Sequence, residues 1–331
     1  MFRRGGAFTN PEFGWLGFWS FINHLRTQKG VFMKTQLENL EYEGGGKLEK
    51  IPCPLCKGAE FKTIVVEQGL PVVRCVSCQL AFANPRPDHE GLMKFYKDYF
   101  PPESASLWQE QMSSIFLREG LERIREYQEK GILTKSDKPK ILDIGSGMGF
   151  FLDLMKREGW QADGVEPSPS AVKHARESLG LEVHLGTIEG YQTDQLYDVI
   201  TLWYVMEHVP NPHEILDRVA SLLLPGGLVI IRVPNQNAPV DRILGTLGLG
   251  KFFLMNPPRH LFDYSPKTLK AFMTQRGFET LEIRNSMPRG TGTFLEKLRR
   301  FTWYGTFQAL YILSGGRIVR GSSMTLYAKK K

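Results

Sequence analysis

Residues 143–149 read Asp143-Ile144-Gly145-Ser146-Gly147-Met148-Gly149; they follow the apolar run Lys140-Ile141-Leu142 and precede an amphipathic stretch that begins at Phe150. Such a run predicts a buried strand, the glycines a tight turn, and the stretch after them a helix whose first N–H groups have no partner within the helix. A ligand can approach the backbone closely there. Asp143 ends the strand two residues before the first glycine, and Glu166 stands 17 residues after Gly149, at the end of the next predicted strand, Gln161–Glu166. An acid in that second place suits a bidentate hydrogen bond to the hydroxyls of a ribose, and open α/β sheets bind ligands at the carboxyl ends of their strands.

Outward from this stretch, strands and helices alternate as in a parallel sheet with crossover helices. Seven strands are predicted, at 140–144, 161–166, 181–185, 197–203, 228–233, 278–284 and 324–328. Ser168-Pro169, Asn211-Pro212 and Ser265-Pro266 read as helix starts, and Gly180 and Gly277 as helix ends. A dinucleotide fold wants G-x-G-x-x-G, but Phe150 stands where the last glycine belongs. Asp143 before the turn also repels a pyrophosphate and favours an ammonium or sulfonium.

In this combination residues 138–330 resemble the class I S-adenosylmethionine-dependent methyltransferases. The resemblance implies an α/β fold with a seven-stranded Rossmann-like sheet whose last strand is antiparallel, and S-adenosylmethionine as cofactor. By the same resemblance Asp143 organises the loop at the methionine amine, Gly145, Ser146 and Gly147 contact the methionine part, and Glu166 holds the ribose. Thr187 and Ile188 would lie at the adenine, and Gly149, Pro167 and Trp203 complete the expected cofactor set. Trp203-Tyr204-Val205-Met206-Glu207-His208-Val209 resembles the family's fourth-strand motif with its Glu-His pair, and Leu224-Pro225-Gly226-Gly227 its turn before strand five.

Methyl transfer is an in-line displacement that must align the acceptor, exclude water and often remove a proton. His208 is the leading base candidate, with Glu207 beside it, His260 on the segment after strand five, and Tyr204 as a further acceptor contact. Against this stand structural roles: backbone bonding for Glu207 and His208, loop packing for His260, ring packing for Tyr204. The quinone O-methyltransferases resemble this region too, but carry a metal-binding acid where this chain has Tyr204. A divalent metal in the active site is therefore not expected, and neither is a catechol acceptor.

The four cysteines, Cys53, Cys56, Cys75 and Cys78, are spaced C-x2-C-x18-C-x2-C, which predicts a zinc ribbon over 51–85. Four thiolates leave no open coordination position, so the Zn²⁺ would be structural. Two disulfides in a secreted protein are the alternative, and the N-terminus is a poor signal peptide. Residues 1–50 read as a poorly ordered extension and linker, with Met33 as a second plausible start, and 86–137 as a connecting region with a helix over 104–130. The methyltransferase domain is expected over 138–331. Ribbon and domain together resemble a subgroup that acts in sugar, polysaccharide or other small-molecule pathways.

The 331 residues, 42% hydrophobic and 23% charged, exclude disorder, and no apolar run approaches the ~18 residues of a membrane span. The +7 net charge is concentrated at the end, with nine Lys/Arg against one acid over 285–331 and 13 against 17 over 141–284. The ribbon carries three basic residues and two acids, no strong nucleic-acid signal. Residues 294–313 predict a basic amphipathic helix, either covering the sheet or making weak contact with an anionic membrane. The expectation is a cytoplasmic methyltransferase of a small-molecule acceptor such as a sugar or polysaccharide precursor, with carbon, oxygen and nitrogen all open as the methylated atom. Its alternatives are a membrane-peripheral enzyme acting on a lipid or lipid-linked glycan, and a ribbon that binds RNA or protein.

Overall fold

The computed structural model describes residues 47–96, 105–236, 238, 255–286 and 294–331; the expectations for residues 1–46 lie outside the described residues. Residues 47–50, expected to be linker, include a short strand, β1 (Leu48–Glu49), which pairs antiparallel with β5 (Arg86–Pro87). Between them β2 (Phe61–Glu67) and β3 (Leu70–Cys75) form a hairpin, and β4 (Ala81–Ala83) adds to β3.

α1 (His89–Tyr96) and α2 (Ala105–Ile115) follow, and the helix expected over 104–130 widens into a π-helical turn at Phe116–Leu121 before α3 (Glu122–Glu129). That turn directs Glu119 into the interior, where its carboxylate pairs with Arg232, a side chain only 1% exposed. Thr325 donates to the same carboxylate and Tyr327 Oη to the Glu119 carbonyl, so the buried charges are hydrogen-bonded on several sides.

The remaining elements alternate: β6 (Lys140–Ile144), α4 (Phe150–Arg157), β7 (Gln161–Glu166), α5 (Pro169–Leu179), β8 (Val183–Leu185), β9 (Tyr197–Trp203), α6 (Pro212–Leu222) and β10 (Leu223–Pro234). Next come β11 (Phe262–Asp263), α7 (Pro266–Gln275), β12 (Phe278–Asn285), α8 (Phe294–Leu313) and β13 (Ser323–Lys330). Seven strands form one sheet in the order β12-β13-β10-β9-β6-β7-β8. Pairing is parallel from β10 to β8, and β13 runs antiparallel to both its neighbours. The order reverses between β6 and β9, so the crevice at their carboxyl ends is where such a sheet binds its ligand.

Two boundaries differ from expectation for local reasons. β10 starts five residues early, because Leu223 already pairs with Tyr197 before Leu224 to Gly227 bulge out and Leu228 rejoins at Val199. β8 starts late, because the Leu181 N–H closes the end of α5 on the Ala175 carbonyl. Two of the three helix starts read from sequence carry side-chain caps, since Ser168 accepts from Ala171 and Ser265 forms a capping box with Thr268, whereas Asn211 precedes α6 without a side-chain cap.

The cysteine region is built into the sheet domain. β11, which follows β10 in sequence, pairs with β4, giving a second sheet of order β11-β4-β3-β2. A single buried cluster runs from Cys53, Leu55, Val73 and Phe82 to Leu202, Phe262 and Tyr264. The first cysteine turn docks on α6 and α7: His213 Nε2 donates to the Pro54 carbonyl at 2.9 Å, and Gln275 Nε2 donates to that of Leu55 at 3.3 Å. On α8, Phe307 is buried whereas Phe301, Trp303, Ile312 and Leu313 face solvent. Among the described residues no helix is long and apolar enough to cross a membrane.

Candidate active site

A cavity of about 420 Å³ opens at the carboxyl ends of β6 and β9. One end is built by the glycine turn. Gly145 is at φ 67, and a Cβ there would lie 2.5 Å from Val205 Cγ2, so the close approach of the two loops requires glycine. Glu166 ties the turn to β7, accepting from the Gly147 N–H at 2.8 Å and the Ser168 N–H at 2.9 Å. Both carboxylate oxygens are therefore engaged with backbone, and each retains a second lone pair for a ligand hydroxyl.

Asp143 is buried and accepts from Thr201 Oγ1 at 2.6 Å. Burial pushes its carboxyl up to about 8; the Thr201 bond works against the rise and the Glu166 charge adds to it. Burial likewise pushes Glu166 up to about 7 against its two backbone N–H donors. Two buried acids facing one cavity call for a cation and for hydroxyl donors. Ser146 Oγ and Trp203 Nε1 are also buried without a hydrogen-bond partner among the described residues. These groups fit the amine, sulfonium and ribose of S-adenosylmethionine.

Pro167, Thr187, Ile188 and Trp203 line the same cavity, as does Glu189, an acid that the sequence pattern does not single out. Gly149 does not line it. It caps α4 at φ 84, and a Cβ there would lie 2.7 Å from Leu181 Cδ1, so helix packing by itself requires glycine at this position.

The other end of the cavity is assembled from distant segments. Leu92 and Met93 come from α1, Trp108 and Met112 from α2, and Phe116 from the π-helical turn. These form an apolar and aromatic wall. Tyr204, a non-glycine residue at φ 59, puts its ring against the Arg232 guanidinium at 5.0 Å, and its hydroxyl lies 3.0 Å from Ser323 Oγ.

Glu207, His208 and His260 meet at this end, with one donor atom from each lying within 4.8 Å of the others. The two imidazoles are edge to face, centroids 4.8 Å apart. His208 Nδ1 is hydrogen-bonded to the Arg259 carbonyl. A carbonyl only accepts, so Nδ1 carries the proton and the lone pair of neutral His208 sits on Nε2. The loop holding His260 is fastened to the same strand end, since the Leu261 and Phe262 N–H groups both donate to the Glu207 carbonyl, at 2.7 and 3.2 Å. The sequence gives Glu207-His208 and His260 separately; 52 residues apart, they are joined only by folding.

The methyltransferase domain family matches residues 108–283, just over half of the chain. The chain belongs to this methyltransferase family. The match begins inside α2, in keeping with the wall that this helix gives the methyltransferase cavity. The ubiquinone biosynthesis O-methyltransferase of Thiobacillus denitrificans is 31% identical over 155 residues, 44% of this chain and 66% of the relative. The enzyme of the same description from Yersinia pestis is 37% identical over 127 residues, 35% of this chain and 52% of the relative. The chain thus spans between half and two thirds of these curated relatives. Among solved structures, magnesium protoporphyrin IX methyltransferase from Synechocystis with bound SAH aligns at TM-score 0.48 and 14% identity, covering 72% of this chain and 99% of that one. A SAM-dependent methyltransferase from Archaeoglobus fulgidus aligns at 0.43 and 22%, covering 63% and 94%.

The four cysteines also converge. Their sulfurs lie within 4.8 Å of one another, with Cys53–Cys78 and Cys56–Cys75 at 3.4 Å. That is far beyond an S–S bond of about 2 Å and close to the ~3.8 Å edge of a tetrahedron of thiolates around zinc. Lys57 and Gln79, each directly after the second cysteine of its turn, both have positive φ, so the two turns share one backbone shape.

Proposed function

We propose that this methyltransferase moves a methyl group from S-adenosylmethionine to an oxygen of a small molecule with an apolar or aromatic body, and that His208 removes the acceptor's proton. The supporting observation is the His208 Nδ1 bond to the Arg259 carbonyl, which leaves Nε2 as the basic atom in the cavity that also holds Asp143 and the glycine turn. S-adenosylmethionine, when bound, supplies an electrophilic methyl group. Asp143 and Ser146 would hold its methionine part, Glu166 its ribose, and Thr187, Ile188 and Glu189 would border its base. The wall of Trp108, Met112 and Phe116 excludes water from the transfer and suits an apolar acceptor better than the sugar or polysaccharide precursor expected from sequence. Oxygen as acceptor agrees with the O-methyltransferase relatives. Incubation with methyl-labelled S-adenosylmethionine and fractionated cell extract tests this proposal. Label in the small-molecule, solvent-extractable fraction supports it; label confined to RNA or protein rejects it.

The Glu207, His208 and His260 cluster favours a second reading, in which these three side chains would hold a divalent cation that would supply Lewis-acid chemistry to the acceptor. Transfer that stops on chelation and returns with a divalent metal, while the cysteine zinc stays bound, would select it over proton removal by His208. We further propose that Cys53, Cys56, Cys75 and Cys78 hold one structural Zn²⁺. Elemental analysis giving one zinc per chain is the expected result.

A further inference from the structure

The hairpin turn of the cysteine sheet reaches the active-site loop. Glu67 ends β2, is 7% exposed, and points its carboxylate at the segment that carries His260. Its Oε2 accepts from the Met255 N–H at 3.1 Å and the Asn256 N–H at 2.8 Å. Asn256 is at φ 63, a left-handed conformation that asparagine tolerates better than other non-glycine residues and that the Glu67 bond to its N–H holds in place. Next to Glu67, Gln68 donates to the Asn256 side chain. The turn that starts at Asn256 delivers the Arg259 carbonyl to His208 Nδ1 and His260 to the His208 ring. The far end of the segment is held by the same sheet, through the Leu261 carbonyl to the Ala83 N–H at 3.0 Å and through β11 on β4.

We infer that Glu67 is a positioning residue for the catalytic pair: the cysteine sheet acts as the template that shapes the His260 loop and so sets the tautomer and orientation of His208. Removing the carboxylate strands two backbone N–H groups and frees the left-handed turn. The cofactor end of the cavity, built by β6 and β7, does not depend on that contact. The inference rests on reading His208 as the base, and its test separates the two.

The measurement is the ¹⁵N spectrum of histidine-labelled protein, assigned with His208→Gln, together with calorimetric binding of S-adenosylhomocysteine. Wild type is expected to give His208 protonated on Nδ1 when neutral. Glu67→Ala is expected to shift it to a mixture of tautomers while S-adenosylhomocysteine affinity stays within about threefold, and Glu67→Gln, whose amide oxygen accepts from the same two N–H groups, to restore the wild-type signal. Gln68→Gly keeps the left-handed turn, removes only the tie to Asn256, and should give a smaller shift of the same kind; it decides the matter if Glu67→Ala does not fold. A wild-type His208 signal in either folded variant overturns the inference. Failure of wild type to bind S-adenosylhomocysteine would overturn the cofactor reading and leave the tautomer comparison standing.

Discussion

The two ends of the cavity are built in opposite ways. The cofactor end comes from residues 143–168 and 186–189, consecutive strand ends of one sheet, with its acids and glycines in a fixed local order. The proposed acceptor end draws on α1, α2, the π-helical turn, the end of β9 and the loop before β11, which lie up to 171 residues apart between His89 and His260. A shared cofactor is served by local geometry, whereas the acceptor is met by segments that can change independently of it.

If that division is right, substitutions at the two ends should separate binding from transfer. The largest effect is expected at the acceptor end. His208→Ala should slow transfer by roughly 10²–10⁴-fold, with S-adenosylhomocysteine affinity nearly unchanged; single-turnover rates alongside calorimetry would expose any leak between the two. The converse belongs to Asp143→Ala. It should weaken cofactor binding by about 10–100-fold, the range for a lost charged hydrogen-bond partner, while the thermal unfolding transition remains cooperative. Unchanged affinity would mean that the cavity has been assigned to the wrong ligand.

Thr201→Val sharpens the same end. Thr201 is fully buried and donates to Asp143, so the valine variant should bind S-adenosylhomocysteine about tenfold more weakly with little change in the rate of transfer once saturated. A smaller effect is expected from pH. Burial raises Asp143 and Glu166 to about 8 and 7 in the free protein, from ordinary values of 3.8 and 4.5. The folded protein then holds protons that the unfolded chain has released, so the contribution of this pair to stability falls as pH rises from about 4 towards 8. A cationic ligand favours both carboxylates, so S-adenosylmethionine binding at pH 7 should release about one proton. Calorimetry in two buffers of different ionisation enthalpy counts it, and proton uptake would contradict the sign.

The same division explains what the sequence made legible. Lys140–Ile144, Tyr197–Trp203 and the helix Phe294–Leu313 have the bounds their apolar patterns predict, and the helix after the glycine turn starts at Phe150 as expected, because runs, caps and glycines are local signals. Asp143, Glu166 and Glu207-His208 could be picked out because family resemblance acts on short, ordered motifs. β11 has only two residues and is a strand because of β4, about 180 positions away, and the three residues of β4 are held between β11 and β3, pairings that no periodicity reveals. Glu67 and Trp108 were invisible for the same reason. The joining of His260 to His208 and the inward turn of Glu119 likewise depend on contacts across the chain, as does the packing duty of Gly149 against Leu181.

In the proposed reaction one cavity holds both a methyl donor and an acceptor oxygen, and His208 removes the acceptor's proton. The most direct measurement supplies methyl-labelled S-adenosylmethionine and small-molecule extract to wild type and to His208→Ala, with S-adenosylhomocysteine binding checked in both. Labelled small molecule is expected with wild type, at least roughly a hundredfold slower labelling with the variant, and equal binding. Equal labelling by the two proteins, or binding without label in any small-molecule fraction, would contradict the proposed reaction.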